Sequence, residues 1–223
     1  MNAQRKLYLT QQEYLELERA ADFKSEYCAG EVYAMAGASP RHVLIATNTA
    51  AAFVTQLRRK PCFTYSNDLR VKASASGLYT YPDIVVACKK PQFDDPREDT
   101  LLNPTVIIEV LSPSTEAYDR GAKFNHYRQI ESLTDYLLIS QEQALVEHFV
   151  RLSHEEIAAG QSISRWMLTF FQGPDDVAVI PSIGVELPLS EIYDKVEWPG
   201  DESGATTLRV VREQDNGYTT ETR

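Results

Sequence analysis

The chain has 223 residues, 43% hydrophobic and 24% charged, which is enough apolar content for one medium domain with a full core, or at most two small ones. A formal net charge of −10 argues against nucleic-acid binding by the surface as a whole, and no apolar run approaches the roughly 18–20 residues of a membrane helix. The opening stretch Met1-Asn2-Ala3-Gln4-Arg5-Lys6-Leu7-Tyr8 has no apolar signal core, so a soluble cytoplasmic protein is expected.

Taken in chain order, residues 7–23 read as a helix with Thr10 as cap, and Glu26 to Met35 as a hairpin turning at Ala29-Gly30. Ser39-Pro40 marks the start of a long helix, Ser as N-cap and Pro at the first helical position. It runs to about Arg58, with Val43, Ala46, Ala50, Phe53, Val54 and Leu57 expected on its core face, and Pro61 stops it. Cys62 to Lys72 and Tyr79 to Cys88 read as one strand each, joined by a turn at residues 73–77. A polar loop from Lys89 to Pro104 precedes the strand Thr105 to Leu111. Ser112-Pro113-Ser114-Thr115 then caps a helix from about Ala117 to Glu131. Asp135–Ser140 and Leu145–Arg151 read as two strands, residues 164–172 and 177–180 as a further pair, and Leu187 to Tyr193 as a short helix or turn. The predicted organisation is a domain over 1–198 followed by a disordered tail over 199–223, which is rich in Thr, Glu and Asp. The order of elements points to an α/β (α+β) fold in which a central mixed β-sheet is flanked by helices.

Cys28, Cys62 and Cys88 are odd in number and widely spaced, so they read as free thiols rather than as a zinc site or a disulfide framework. Charge is unevenly distributed. Arg41, Arg58, Arg59, Lys60, Arg70 and Lys72 are opposed only by Asp68, whereas the chain from Gly173 onward is acidic. A local basic face on an acidic protein is compatible with a phosphate-bearing ligand, and equally with a solvated helix end.

The chemistry is carried by two acids in apolar strands. Tyr81-Pro82-Asp83-Ile84-Val85-Val86 holds one and Thr105-Val106-Ile107-Ile108-Glu109-Val110-Leu111 the other. A carboxylate in a buried strand is costly, and two on neighbouring strands repel unless a cation lies between them. A hard divalent ion, Mg2+ or in its place Mn2+, is the simplest compensation. The plain alternative is a turn carboxylate at Asp83 and a buried, paired acid at Glu109. In the next helix, Asp119, Lys123 and Tyr127 recur at four. Lys123 is either a cation over the acid pair or half of an Asp119–Lys123 surface pair, and periodicity alone favours the surface pair. His42 at the helix start is a candidate phosphate contact and Glu31 a candidate further acid, although a cap residue and a strand-edge charge are the simpler readings of both. Tyr127 and Arg128 read as packing and solvent-facing groups, Leu111 as a core residue. His126, His148 and His154 show no ligand spacing.

Several segments together resemble the Uma-two family, predicted restriction-endonuclease-like proteins abundant in cyanobacteria and assigned to the PD-(D/E)xK nuclease superfamily. These are Gly30-Glu31-Val32-Tyr33-Ala34-Met35-Ala36-Gly37-Ala38-Ser39-Pro40-Arg41-His42, Tyr81-Pro82-Asp83, Ile108-Glu109-Val110-Leu111-Ser112-Pro113-Ser114-Thr115, and Asp119-Arg120-Gly121-Ala122-Lys123 with Tyr127. The resemblance covers about residues 7–195 and implies a restriction-endonuclease-like core. It makes Asp83 the motif aspartate and Glu109 the motif acid. A lysine normally follows that acid by two residues; Leu111 stands there, and the resemblance implies that Lys123 replaces it in space. The activity implied is a Mg2+-dependent DNA endonuclease with Asp83, Glu109 and Lys123 as catalytic residues, Asp83 and Glu109 as metal ligands, and Glu31, His42 and Asp119 as accessory groups. A homodimer would suit duplex cleavage. The alternatives are a catalytically silent nucleic-acid-binding or interaction protein on a nuclease fold, for which Leu111 and the overall acidity speak, and a metal-dependent hydrolase of another phosphoester.

Overall fold

A computed structural model describes residues 8–73, 77–152 and 165–198. Apart from Glu109, Val106 to Leu111 is apolar because its strand is covered on both faces, which removes the usual alternation of polar and apolar residues. Strands β3 (Cys62–Ser66), β6 (Ile84–Cys88), β8 (Val106–Leu111), β9 (Asp135–Ser140), β10 (Leu145–Arg151) and β11 (Trp166–Gln172) form a mixed sheet in the order β11-β10-β9-β8-β6-β3. Only β8 and β9 run parallel.

One face of this sheet presents Ile84, Val86, Val106, Ile108, Val110, Leu137 and Ile139. It packs on helix α2 (Pro40–Leu57), helix α5 (Leu189–Ile192) and the hairpin β12 (Val177–Ile180)–β13 (Val185–Pro188). The opposite face presents Val85, Ala87, Ile107, Leu111, Tyr136 and Leu138. It packs on a second, five-stranded sheet and on a helical run over residues 116–127. That second sheet has the order β2 (Glu31–Ala34), β1 (Ser25–Cys28), β5 (Leu78–Thr80), β4 (Arg70–Ala73), β7 (Thr100–Leu101). The helical run consists of α3 (Glu116–Tyr118), a π-helical turn (Asp119–Lys123) and α4 (Phe124–Tyr127).

Helix α1 (Gln11–Ala20) opens with a capping box between Thr10 and Glu13 and is tied down by Arg19, which pairs with Asp95 and Asp99. The β1–β2 hairpin turns through Ala29 and Gly30, both at positive φ (48° and 99°), as expected of a tight two-residue turn. In α2, Ser39 caps by accepting the His42 N–H.

Several expectations are corrected. Tyr79 to Cys88 is not one strand: the chain leaves β5 at Thr80, passes Tyr81-Pro82-Asp83 and enters β6 in the other sheet, because Pro82 has no N–H to continue a ladder. Cys62 to Lys72 is likewise split into β3 and β4 of different sheets, and the polar loop before Thr105 contributes the short strand β7. Strand β11 pairs with β10, and β12 with β13, not with each other. The core face of α2 is Ile45, Thr49, Phe53 and Leu57, while Val43 and Val54 are exposed. Cys62 and Cys88 are not free thiols: they face each other across β3 and β6 and form a disulfide, leaving Cys28 as the free cysteine among the described residues. The C-terminal segment from 199, expected to be a disordered tail, lies outside the described residues, as do the turn positions 74–76 and His154.

Candidate active site

Asp83 and Glu109 are brought side by side by strand register. Ile84 pairs with Ile108 across the antiparallel β6–β8 ladder, so Asp83, one residue before β6, comes level with Glu109, near enough for its charge to act on that carboxyl. Asp83 continues the ladder with its side chain: Oδ2 accepts the Val110 N–H at 2.7 Å, and Oδ1 lies 2.9 Å from His42 Nε2. His42 reaches it from the first turn of α2, across the end of the sheet. Both oxygens of Asp83 are therefore fixed.

Glu109 is buried, with 4% of its surface exposed. Its Oε1 accepts the Tyr127 hydroxyl at 2.8 Å and lies 2.9 Å from Lys123 Nζ. Lys123 is not a surface residue. It is buried, and its ammonium also meets Glu26 Oε1 at 3.1 Å and Asp119 Oδ1 at 3.4 Å. The π-helical turn makes this possible by carrying both Asp119 and Lys123 on its buried side; such turns are rare and recur at functional sites. The Asp119–Lys123 spacing thus marks a buried pair, and not the solvated one that periodicity favours.

Charge in this cluster is unbalanced. Burial pushes the Glu109 carboxyl up to about 8; Lys123 pulls against this, and Asp119 and Asp83 add to it. Burial raises Asp119 as well. For Lys123 burial works against the charge, yet Glu109, Glu26 and Asp119 outweigh it and hold the proton well above the ordinary lysine value. Burial and the neighbouring Glu109 keep Tyr127 a neutral phenol.

A groove of about 1480 Å³ opens in front of Asp83, bordered by Lys24, Arg41, His42, Ser112 and Lys195. Glu109 and Lys123 are not among the residues that line it. The basic segment read from the sequence does not form one face. Arg41 borders the groove, and Arg58 and Arg59 stand at the far end of α2. Lys60 donates to the Ile183 and Gly184 carbonyls, Arg70 is buried against Tyr81 and Thr100, and Lys72 pairs with Asp94. Glu31 is on the outer strand β2, where it accepts the Tyr33 hydroxyl at 2.6 Å, and is not among the carboxylates around Lys123. Two groups escape the sequence reading. Tyr127, expected only to pack, donates to Glu109. Glu26 alternates with the buried Ser25 and Tyr27, where an acid reads in the sequence as an outward-facing residue, yet its side chain is only 13% exposed.

The sequence pattern of the Uma2 family, described as "Putative restriction endonuclease", matches residues 11–184. The chain belongs to the Uma2 family. Two relatives from Synechocystis sp. match it. The uncharacterized protein sll1609 is 34% identical over 165 residues, 74% of this chain and 88% of the relative. The uncharacterized protein slr1290 is 32% identical over 189 residues, 83% and 91% respectively. Among solved structures, one from Anabaena variabilis described as a "putative nuclease belonging to DUF820" superposes with a TM-score of 0.65 at 19% identity, covering 83% of this chain and 97% of that one. At that identity the likeness is one of fold. It agrees with the α+β architecture expected from the sequence, and the Uma2 membership agrees with the motif resemblance. No described helix is long and apolar enough to cross a membrane.

Proposed function

We propose that this Uma2 protein is a Mg2+-dependent endonuclease that hydrolyses phosphodiester bonds in DNA. The supporting observation is the register that sets Asp83 against Glu109 with a buried lysine on the second carboxylate. The family description and the nuclease of the same fold point the same way. The donor set fits the ion. Among the described residues no group of three or more His, Cys, Asp or Glu is arranged to hold a metal. Two carboxylates completed by water and substrate phosphate are nevertheless a normal Mg2+ environment. Three carboxylates, Glu109, Asp119 and Glu26, stand around the one ammonium of Lys123, and that surplus negative charge is what a divalent ion would offset.

Asp83 and Glu109 would hold the ion, Asp83 with its oxygens aimed by His42 and the Val110 N–H. Bound Mg2+ would polarise a phosphoryl oxygen and lower the pKa of an attacking water. Lys123 keeps a positive charge beside the pair to offset charge developing on the phosphoryl group. Lys24, Arg41 and Lys195 at the groove would meet backbone phosphates. Two strands must be cut, so a twofold dimer belongs to the same reading.

The second reading is a catalytically silent DNA-binding protein, favoured by the absence of Glu109 and Lys123 from the residues that line the groove. Plasmid incubated with wild type and Mg2+ or Mn2+ separates the two. Cleavage that falls at least about a hundredfold in both Asp83→Ala and Glu109→Ala supports the endonuclease. Equal cleavage by the variants rejects the site. DNA binding without cleavage by wild type supports the silent protein.

A further inference from the structure

The Lys123 ammonium lies within ion-pair distance of three carboxylates, as many as it has N–H donors: Glu109, Asp119 and Glu26. Two of these belong to elements already in the site. Glu26 comes from β1, in the other sheet. The β1–β5 ladder pairs Tyr27 with Tyr79, so Glu26 stands opposite Thr80, whose hydroxyl donates to Glu26 Oε1. Tyr127 Oη lies 3.4 Å from the Thr80 hydroxyl and donates to Glu109. The contacts close a ring: Lys123 to Glu26, to Thr80, to Tyr127, to Glu109 and back to Lys123.

We infer that Glu26 is the positioning residue for Lys123, and that the five-stranded sheet exists in this fold partly to deliver it. The inference rests on the endonuclease reading for its kinetic consequence alone; the hold on the ammonium is a structural claim. A lysine two residues beyond Glu109 would need no such support, because the strand itself would place it. Lys123 comes from a helical turn on a flexible four-carbon stem, and two carboxylates leave one donor free and the side chain able to swing away. Glu26 removes that freedom. Its contacts run to Lys123 and to the Thr80 hydroxyl, so it acts through Lys123.

The test has two arms. Acetylation of the folded protein by acetic anhydride, mapped by mass spectrometry, should modify Lys123 at least about tenfold faster in Glu26→Ala than in wild type, where the residue is 6% exposed. Glu26→Gln, which keeps the shape and removes the charge, should fall between and serves if the alanine variant does not fold. In the plasmid assay with Mg2+, kcat should drop about 10–100-fold, as for other groups that orient a catalytic residue, while KM stays unchanged; the thermal midpoint should fall, because Glu26→Ala leaves a buried ammonium short of a partner. Adding Glu26→Ala to Lys123→Met should lower the residual rate by less than about twofold, since the two act as a unit. Unchanged Lys123 labelling, or the same loss of kcat with and without Lys123, overturns the inference. Faster labelling in a protein whose wild type never cleaves DNA keeps the hold on Lys123 and rejects the endonuclease reading.

Discussion

Glu109 sits where burial disfavours its charged form. Its ordinary pKa is 4.5, and burial raises it to about 8 in the fold. Between those values the native state binds a proton that the unfolded chain has released. Its stabilising contribution is therefore complete below about pH 4.5 and is lost as pH rises through about 8. In chelator-treated protein the thermal midpoint should thus fall from pH 6 to pH 8.5. Glu109→Gln should flatten the fall and melt about 2–4 °C higher than wild type at pH 8.5, equivalent to roughly 1 kcal/mol. A midpoint below wild type would mean that the Lys123 contact outweighs the burial cost. The reason Asp83 and Glu109 were legible is the same cost: an acid in an apolar strand stands out because it needs compensation. Lys123 was legible only through the motif resemblance, since a four-residue Asp–Lys spacing looks alike whether solvated or buried. Glu26 was not legible at all, because in the alternating strand Ser25–Cys28 an acid falls where a solvent-facing residue is expected, and only the helical run over 116–127 covers it.

At the level of elements, the six-stranded sheet is bound together at its β3 edge by the Cys62–Cys88 bridge, which closes a segment of 26 residues containing β3, β4, β5 and β6. Loop-closure entropy assigns such a bridge about 3 kcal/mol. Dithiothreitol should then lower the thermal midpoint by roughly 6–12 °C in wild type and leave a Cys62→Ser/Cys88→Ser double variant unmoved; equal midpoints with and without reductant would show that the bridge is not formed in solution. Widely spaced cysteines gave no hint of this pairing, because it depends on which strands lie side by side. The same ignorance of pairing merged β5 with β6: both are apolar, and only Pro82 betrays that the chain changes sheets. The buried face of α2 was misread for a local reason. Thr49 faces the core because its hydroxyl donates to the Ile45 carbonyl at 2.8 Å, so a polar residue is buried at no hydrogen-bonding cost while Val43 and Val54 face outward.

Over the whole molecule, charge decides how strongly DNA would be held. The formal charge of −10 repels a polyanion, and the cations that looked contiguous between Arg41 and Lys72 are dispersed by the fold into the two ends of α2 and the paired interior of the second sheet. Three basic side chains border the groove, Lys24, Arg41 and Lys195, with Glu142 and Glu197 beside them. Three phosphate contacts predict a logarithmic salt dependence of the binding constant with a slope of about −3, shallow for a DNA-binding protein. Arg41→Ala should bring the slope to about −2 and weaken binding alike for unrelated DNA sequences, because a phosphate contact carries no base information. The Asp83→Asn variant removes a negative charge from the groove and should bind DNA more tightly than wild type in metal-free buffer, whereas Mg2+ should close that gap by neutralising Asp83 in wild type. Fluorescence anisotropy with a labelled duplex between 25 and 200 mM salt, with and without Mg2+, measures both (about 25 to 200 mM is the span over which such slopes are resolved). A slope near −8 would require a basic surface that the described residues do not present, and would move the DNA away from the groove.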